Sequence, residues 1–252
     1  MHPVYVPQNS KNSIVSSDGR YDFDVLSPEE LDVIQQVLKN SQRSCYVYHS
    51  LGLLNEAYSI VYKPRYILLE IIIQKYSKSN HPVDALAVAE AYRLKGTMFR
   101  EAALKYYEFY LKHSPIWTKR KVCGIYTDAN EPFLSYHIAE LYQSVSRLDD
   151  ALKFAKRAER NNANHFPAYP ALIGSILLKQ DSSLAVDYLQ QVLQSKHYLS
   201  YRAKFQQQLE QAIHAQQTGY KYHPRAYKPS EKALSLEMAI QRQARNFVGY
   251  IP

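Results

Sequence analysis

Cysteine and glycine are both scarce in this 252-residue chain, with two and seven copies. Cys45 and Cys123 stand far apart with no CxxC pair, which excludes a disulfide framework and a four-cysteine zinc site. Few glycines argue against sheet-rich folds and phosphate-cradling loops, which use glycine for tight turns and close backbone approach. The chain has no GxGxxG, no P-loop and no GxSxG, so nucleotide-binding and hydrolase chemistry has no anchor. Its nine histidines form neither HExxH nor a His-x3-His pair, and no metal or other cofactor is expected. No apolar run approaches the roughly 18–20 residues of a membrane helix. The most apolar stretch, residues 66–73, is interrupted by Glu70. The N-terminus lacks the basic region and apolar run of a secretory signal, so a cytoplasmic protein without a membrane partner is expected.

What is present describes a globular chain: 46% hydrophobic, 21% charged, with a mean hydropathy of −0.42. Tyrosine is abundant, with 23 copies. A tyrosine ring packs between helices while its hydroxyl reaches water or a carbonyl, which suits the thin layers of helical arrays. Charge is uneven. Residues 1–32 hold two basic and six acidic groups, and residues 188–252 hold nine and three, within a net charge of +8. The basic C-terminal part would suit an acidic partner surface or nucleic acid, although +8 is also ordinary solubility charge.

Residues 1–26 show no sustained period and read as an extended arm. Ser27-Pro28-Glu29-Glu30 then supplies an N-cap, a proline at the first helical position and a capping-box glutamate. Leu31, Ile34, Val37 and Leu38 follow at helical spacing. A second helix is expected within 44–62, and a third, buried one after Pro64 through Tyr66, Leu69, Ile73 and Tyr76.

From residue 83 the pattern repeats. Ala85, Val88, Ala89 and Tyr92 are followed, after a turn at Lys95-Gly96, by Phe99, Ala102, Tyr106 and Phe109. The same order returns at Ser135, Ile138, Ala139 and Tyr142, then Leu148, Ala151, Ala155 and Ala158. A weaker third copy has Pro170, Ile173, Gly174 and Leu177, with Val186 and Leu193. Small residues at Ala89, Ala139 and Gly174 fall where two helices would cross closely. This pattern resembles the tetratricopeptide repeat, although no tryptophan opens any copy. Residues 115–130, with Trp117, Lys119, Arg120, Lys121 and Cys123, are extra to a regular array. Tyr201, Phe205, Leu209 and Ile213 mark a capping helix. The resemblance implies an all-α, right-handed solenoid of antiparallel helix pairs closed by that helix. The expected divisions are an arm over 1–26, N-terminal helices over 27–80, repeats with their cap over 81–217, and a basic, tyrosine-rich linker and last helix over 218–252.

Enzymatic chemistry is not expected. Cys123 follows three cations that would lower a thiol pKa, but a free cytosolic cysteine is usually a small buried hydrophobe. His137 reads as a packing residue. The resemblance implies a non-catalytic protein-interaction scaffold that holds a partner peptide or helix in a concave face. First-helix positions beside the packing set would line that groove: Val83, Leu86, Glu90 and Arg93; Phe133, Tyr136, Glu140 and Gln143; Ala168, Ala171, Ser175 and Leu178. The alternative is a nucleic-acid-binding or regulatory repeat protein. It would use Trp117 and Lys119, Arg120 and Lys121, together with the Tyr220–Lys228 segment, to stack bases and neutralise phosphates.

Overall fold

The computed structural model describes residues 26–43, 48–114, 121–122, 125–126, 132–224 and 227–249. Residues 1–25 of the arm expected over 1–26, both cysteines, and Trp117, Lys119 and Arg120 lie outside these residues. The chain divides into two compact units, residues 1–110 with 227–252, and residues 111–226.

In the first unit, α1 (Pro28–Arg43) opens on the expected capping box. The Glu30 amide donates to Ser27 Oγ at 3.2 Å and the Ser27 amide to Glu30 Oε2 at 2.8 Å. Ile34, Val37 and Leu38 are buried, as their spacing predicts. α2 (His49–Ser59) and α3 (Tyr62–Tyr76) follow. Pro64 sits in the first turn of α3, where its missing N–H leaves no hydrogen bond unmade. From Ile67 to Ile73 every residue of α3 is buried, so apolar side chains point all round the helix. α4 (Pro82–Lys95) ends at Gly96, whose φ of 113° belongs to glycine rather than to any residue with a Cβ. A 3-10 turn at Thr97–Phe99 leads into α5 (Arg100–His113). α4 and α5 meet through large rings: Tyr92 stacks on Tyr106 with centroids 5.8 Å apart and lies 5.8 Å from Phe99.

The second unit contains the pairs α6 (Pro132–Ser144) with α7 (Leu148–Arg160) and α8 (Ala168–Gln180) with α9 (Ser182–Gln194). α10 (Arg202–Thr218) packs on α9 and α8. Each pair is joined by so short a connection that its two helices run antiparallel. A two-residue antiparallel ladder, β1 (Lys121–Val122) with β2 (Ile125–Tyr126), is the one strand pairing among the described residues. The Lys121 of the basic triplet lies on β1.

Small residues hold the pairs of this unit close. Ala139 of α6 and Ala151, Ala155 and Ala158 of α7 are fully buried, and α6 and α7 pack on each other. A Cβ on Gly174 would stand 2.8 Å from Leu189 Cδ2, so α8 and α9 approach each other as the third copy requires. Replacing Ala139 with Leu is expected to cost about 1–3 kcal/mol by overpacking. Urea unfolding followed by circular dichroism measures it, and an unchanged midpoint would mean that Ala139 is not at a tight crossing.

The capping helix differs in detail from its expected stripe. Phe205, Ala212 and Ala215 are its buried residues, Leu209 and Ile213 are half-buried, and Tyr201 is 44% exposed, just before the helix begins. After residues 219–230, α11 (Glu231–Val248) opens on Ser230, whose hydroxyl accepts from the Ala233 amide. α11 belongs to the first unit and packs on α3.

Candidate functional site

The twelve positions expected to line a groove behave differently in the two units. In the first, Val83, Leu86 and Glu90 are buried, and this is a departure from an open groove. The reason is local: α2 packs against α4, and Tyr58 of α2 reaches Glu90. Glu90 accepts from Tyr58 Oη at 2.8 Å, from Arg93 Nε at 2.9 Å and Nη2 at 2.7 Å, and from the Tyr107 hydroxyl. Arg93 Nη2 also donates to Tyr58 Oη at 3.2 Å. Burial beside the Glu90 carboxylate pushes the Tyr58 and Tyr107 hydroxyls well above the usual range. This side of α4 is filled by the chain's own residues.

In the second unit Phe133, Tyr136 and Gln143 of α6 meet residues of α8 and of the turn before it. Phe133 opens α6 and is 39% exposed. Its ring lies 6.5 Å from Phe166 and 6.4 Å, edge-on, from Tyr169. Tyr136, one turn on, lies 5.4 Å from Tyr169, which itself lies 5.5 Å from Phe166. The four rings form one cluster, in which Phe133 is exposed, Tyr136 and Phe166 are half-buried and Tyr169 is buried, held by helical spacing in α6 and by the turn that enters α8. That turn is fixed by Asn162, whose Oδ1 accepts from the Phe166 amide at 2.7 Å while its Nδ2 donates to the Phe166 carbonyl at 3.1 Å. Further along, Gln143 Nε2 donates to Ser175 Oγ at 2.9 Å, tying α6 to α8. Glu140 is exposed between the aromatic end and this bridge. Ala168 and Leu178 are half-buried and Ala171 is buried.

Sequence periodicity missed Phe166 and Tyr169. Both precede Pro170, where the third copy's pattern begins, so they fell outside the aligned positions. Phe133 and Tyr136 on one helix, with Phe166 and Tyr169 at the start of a neighbouring one, were the signal available.

A second polar cluster lies in the first unit. Lys95, at the end of α4, is fully buried. Its Nζ donates to Glu70 of α3 and, at 2.6 Å, to Glu237 of α11, and it lies 4.5 Å from the centre of the Phe99 ring. Gln74 Nε2 donates to Glu70 Oε1 at 3.0 Å and to the Gln241 carbonyl at 3.1 Å, and Gln241 Nε2 donates to Glu237 Oε1 at 2.9 Å. Burial raises the Glu237 carboxyl above its ordinary range, with Glu70 adding to it and Lys95 opposing. No group of three potential metal ligands occurs among the described residues, and no described helix is long and apolar enough to cross a membrane.

These helix pairs, with small residues at their crossings, give the second unit an all-helical fold of tetratricopeptide-like antiparallel pairs. No protein-family model matches the sequence, and no curated protein matches it. Two crystal structures of MamA align with the chain. One has a TM-score of 0.42 at 10% identity, covering 89% of this chain and 97% of that one. The other has a TM-score of 0.36 at 11% identity, covering 63% and 91%. Both scores are low, and the likeness assigns neither a family nor a function.

Proposed function

We propose that the chain is a non-catalytic interaction scaffold that holds a partner peptide or helix on the α6–α8 face of the second unit. The observation that carries this is the patch of Phe133, Phe166, Tyr169 and Tyr136, with Phe133 exposed and the Glu140 carboxylate beside it. Aromatic groups held in place by neighbours lose little entropy on binding and carry most of the energy in small interfaces. Glu140 adds a preference for a basic residue next to the apolar anchors, so the fitting partner is a segment with apolar side chains and a nearby lysine or arginine.

The test is a pull-down from native lysate with the wild-type chain and a Tyr136→Ala, Glu140→Ala double variant, read by mass spectrometry. Specific partners should be lost from the variant while its helical circular dichroism is unchanged. Retention of every specific partner by a folded variant would place binding elsewhere.

A further inference from the structure

α11 packs on α3 with one side, along which Glu237, Ile240, Ala244 and Phe247 are buried. Its other side is bare from end to end. Steps of three and four residues align Glu231, Leu234, Met238, Arg242 and Arg245 there in one stripe. All five are exposed, Leu234 at 47% and Met238 at 65%. A solitary exposed apolar residue is ordinary on a protein surface. Leu234 and Met238 are not solitary: they stand one helical turn apart, a spacing that no other two large exposed apolar residues share among the described residues. The charges beside them are ordered. One acid, Glu231, precedes the apolar pair, and two bases, Arg242 and Arg245, follow it.

We propose that this stripe is a self-association surface, covered by the same stripe of a second copy of the chain running antiparallel. The order of the charges selects that occupant. Turned end for end, the stripe is its own complement. Leu234 of each copy packs on Met238 of the other, and Glu231 of each meets Arg242 of the other. Both pairings centre on the turn between Leu234 and Met238, so one twofold axis serves them. Arg245, three residues further on, extends the same positive end. A parallel pair would set Glu231 against Glu231 and Arg242 against Arg242, which repel. Two helices that touch over four turns bury less than a standard interface of about 1,600 Å², so the dimer forms at micromolar concentrations and dissociates on dilution. The surface lies on α11 and does not rest on the α6–α8 reading.

The test is sedimentation velocity of the full chain. From about 5 to about 300 μM, monomer should give way to dimer. Met238→Asp places a carboxylate in the apolar contact of both copies and should raise the dissociation constant at least about tenfold. Because Met238 is exposed, this variant should keep the wild-type urea midpoint. Glu231→Arg and Arg242→Glu each reverse two pairs at once by symmetry, and each should weaken the dimer at least about threefold. Combined in one chain, the two reversals set opposite charges across the axis again and should return the dissociation constant close to the wild-type value. A chain that stays monomeric throughout that range overturns the proposal. So does a dimer that Met238→Asp leaves intact, or a double variant no tighter than either single one. A monomer that co-sediments with vesicles of anionic lipid, and no longer does so as Met238→Asp, would assign the stripe to a membrane surface and reject the second copy.

Discussion

Lys95→Met is expected to destabilise the first unit by about 3–5 kcal/mol, the cost of removing one side of a buried ion cluster. The substitution keeps length and apolar bulk but leaves Glu70 and Glu237 facing each other without a cation. Their repulsion, added to the desolvation of both, outweighs what the methionine gains by packing against Phe99. Adding Glu70→Gln and Glu237→Gln to Lys95→Met should recover most of the loss, because an uncharged trio needs no compensation. Glu237→Gln alone is expected to be neutral or stabilising. Urea denaturation of the four proteins gives the comparison. The pH dependence has a definite sign. A carboxyl whose folded pKa is raised binds its proton more tightly in the folded state. Its contribution to stability is therefore complete below the ordinary carboxyl value of about 4.5 and is lost as pH rises through the raised value. Glu237→Gln should flatten that part of the profile. A Lys95→Met chain with an unchanged urea midpoint would mean the three groups do not share one buried site.

Glu90→Ala should be nearly as damaging, costing about 3 kcal/mol. Two tyrosine hydroxyls and a guanidinium converge on this carboxylate, which is 3% exposed. Without it the Tyr58 and Tyr107 hydroxyls lose their acceptor inside the unit, and Arg93 loses its counter-charge. Glu90→Gln retains an acceptor of the same shape and should cost less, about 1–2 kcal/mol. A spectroscopic readout separates this from a general loss of packing. The Tyr58 hydroxyl, held up by burial and then by Glu90, should titrate closer to the ordinary value of 10 in the glutamine variant, measured by phenolate absorbance. An unchanged titration would mean that burial alone holds the hydroxyl there.

Helix ends and pairings were the legible part of the sequence. Ser27 with Glu30, the turn at Lys95-Gly96, and the small residues at Ala139 and Gly174 each act within a few residues of chain, so local pattern suffices. What local pattern leaves open is how many neighbours cover a face. Leu86 and Glu90 occupy the periodic positions of an exposed groove, yet both are buried, and Tyr58 and Tyr107, from helices on either side in sequence, close on Glu90. Lys95 is part of a polar turn signal with Gly96 and is nonetheless fully buried. One clue to it stands in the sequence. Glu70 lies within an apolar stretch that periodicity already assigns to a buried helix, and a carboxylate so placed requires a cation. The partner's position, and the arrival of Glu237 at the same place, depend on contacts between residues 142 apart.

That separation bears on how the chain is made. A ribosome adding about 5–20 residues per second finishes α3 many seconds before α11 emerges, since Gln74 and the Gln241 carbonyl it binds are 167 residues apart. The second unit, being one continuous stretch, can assemble during that interval. The first unit waits with the outer side of α3 uncovered. The exposed apolar nascent surface is where a chaperone would bind during synthesis, and where a chain stalled before residue 231 would aggregate.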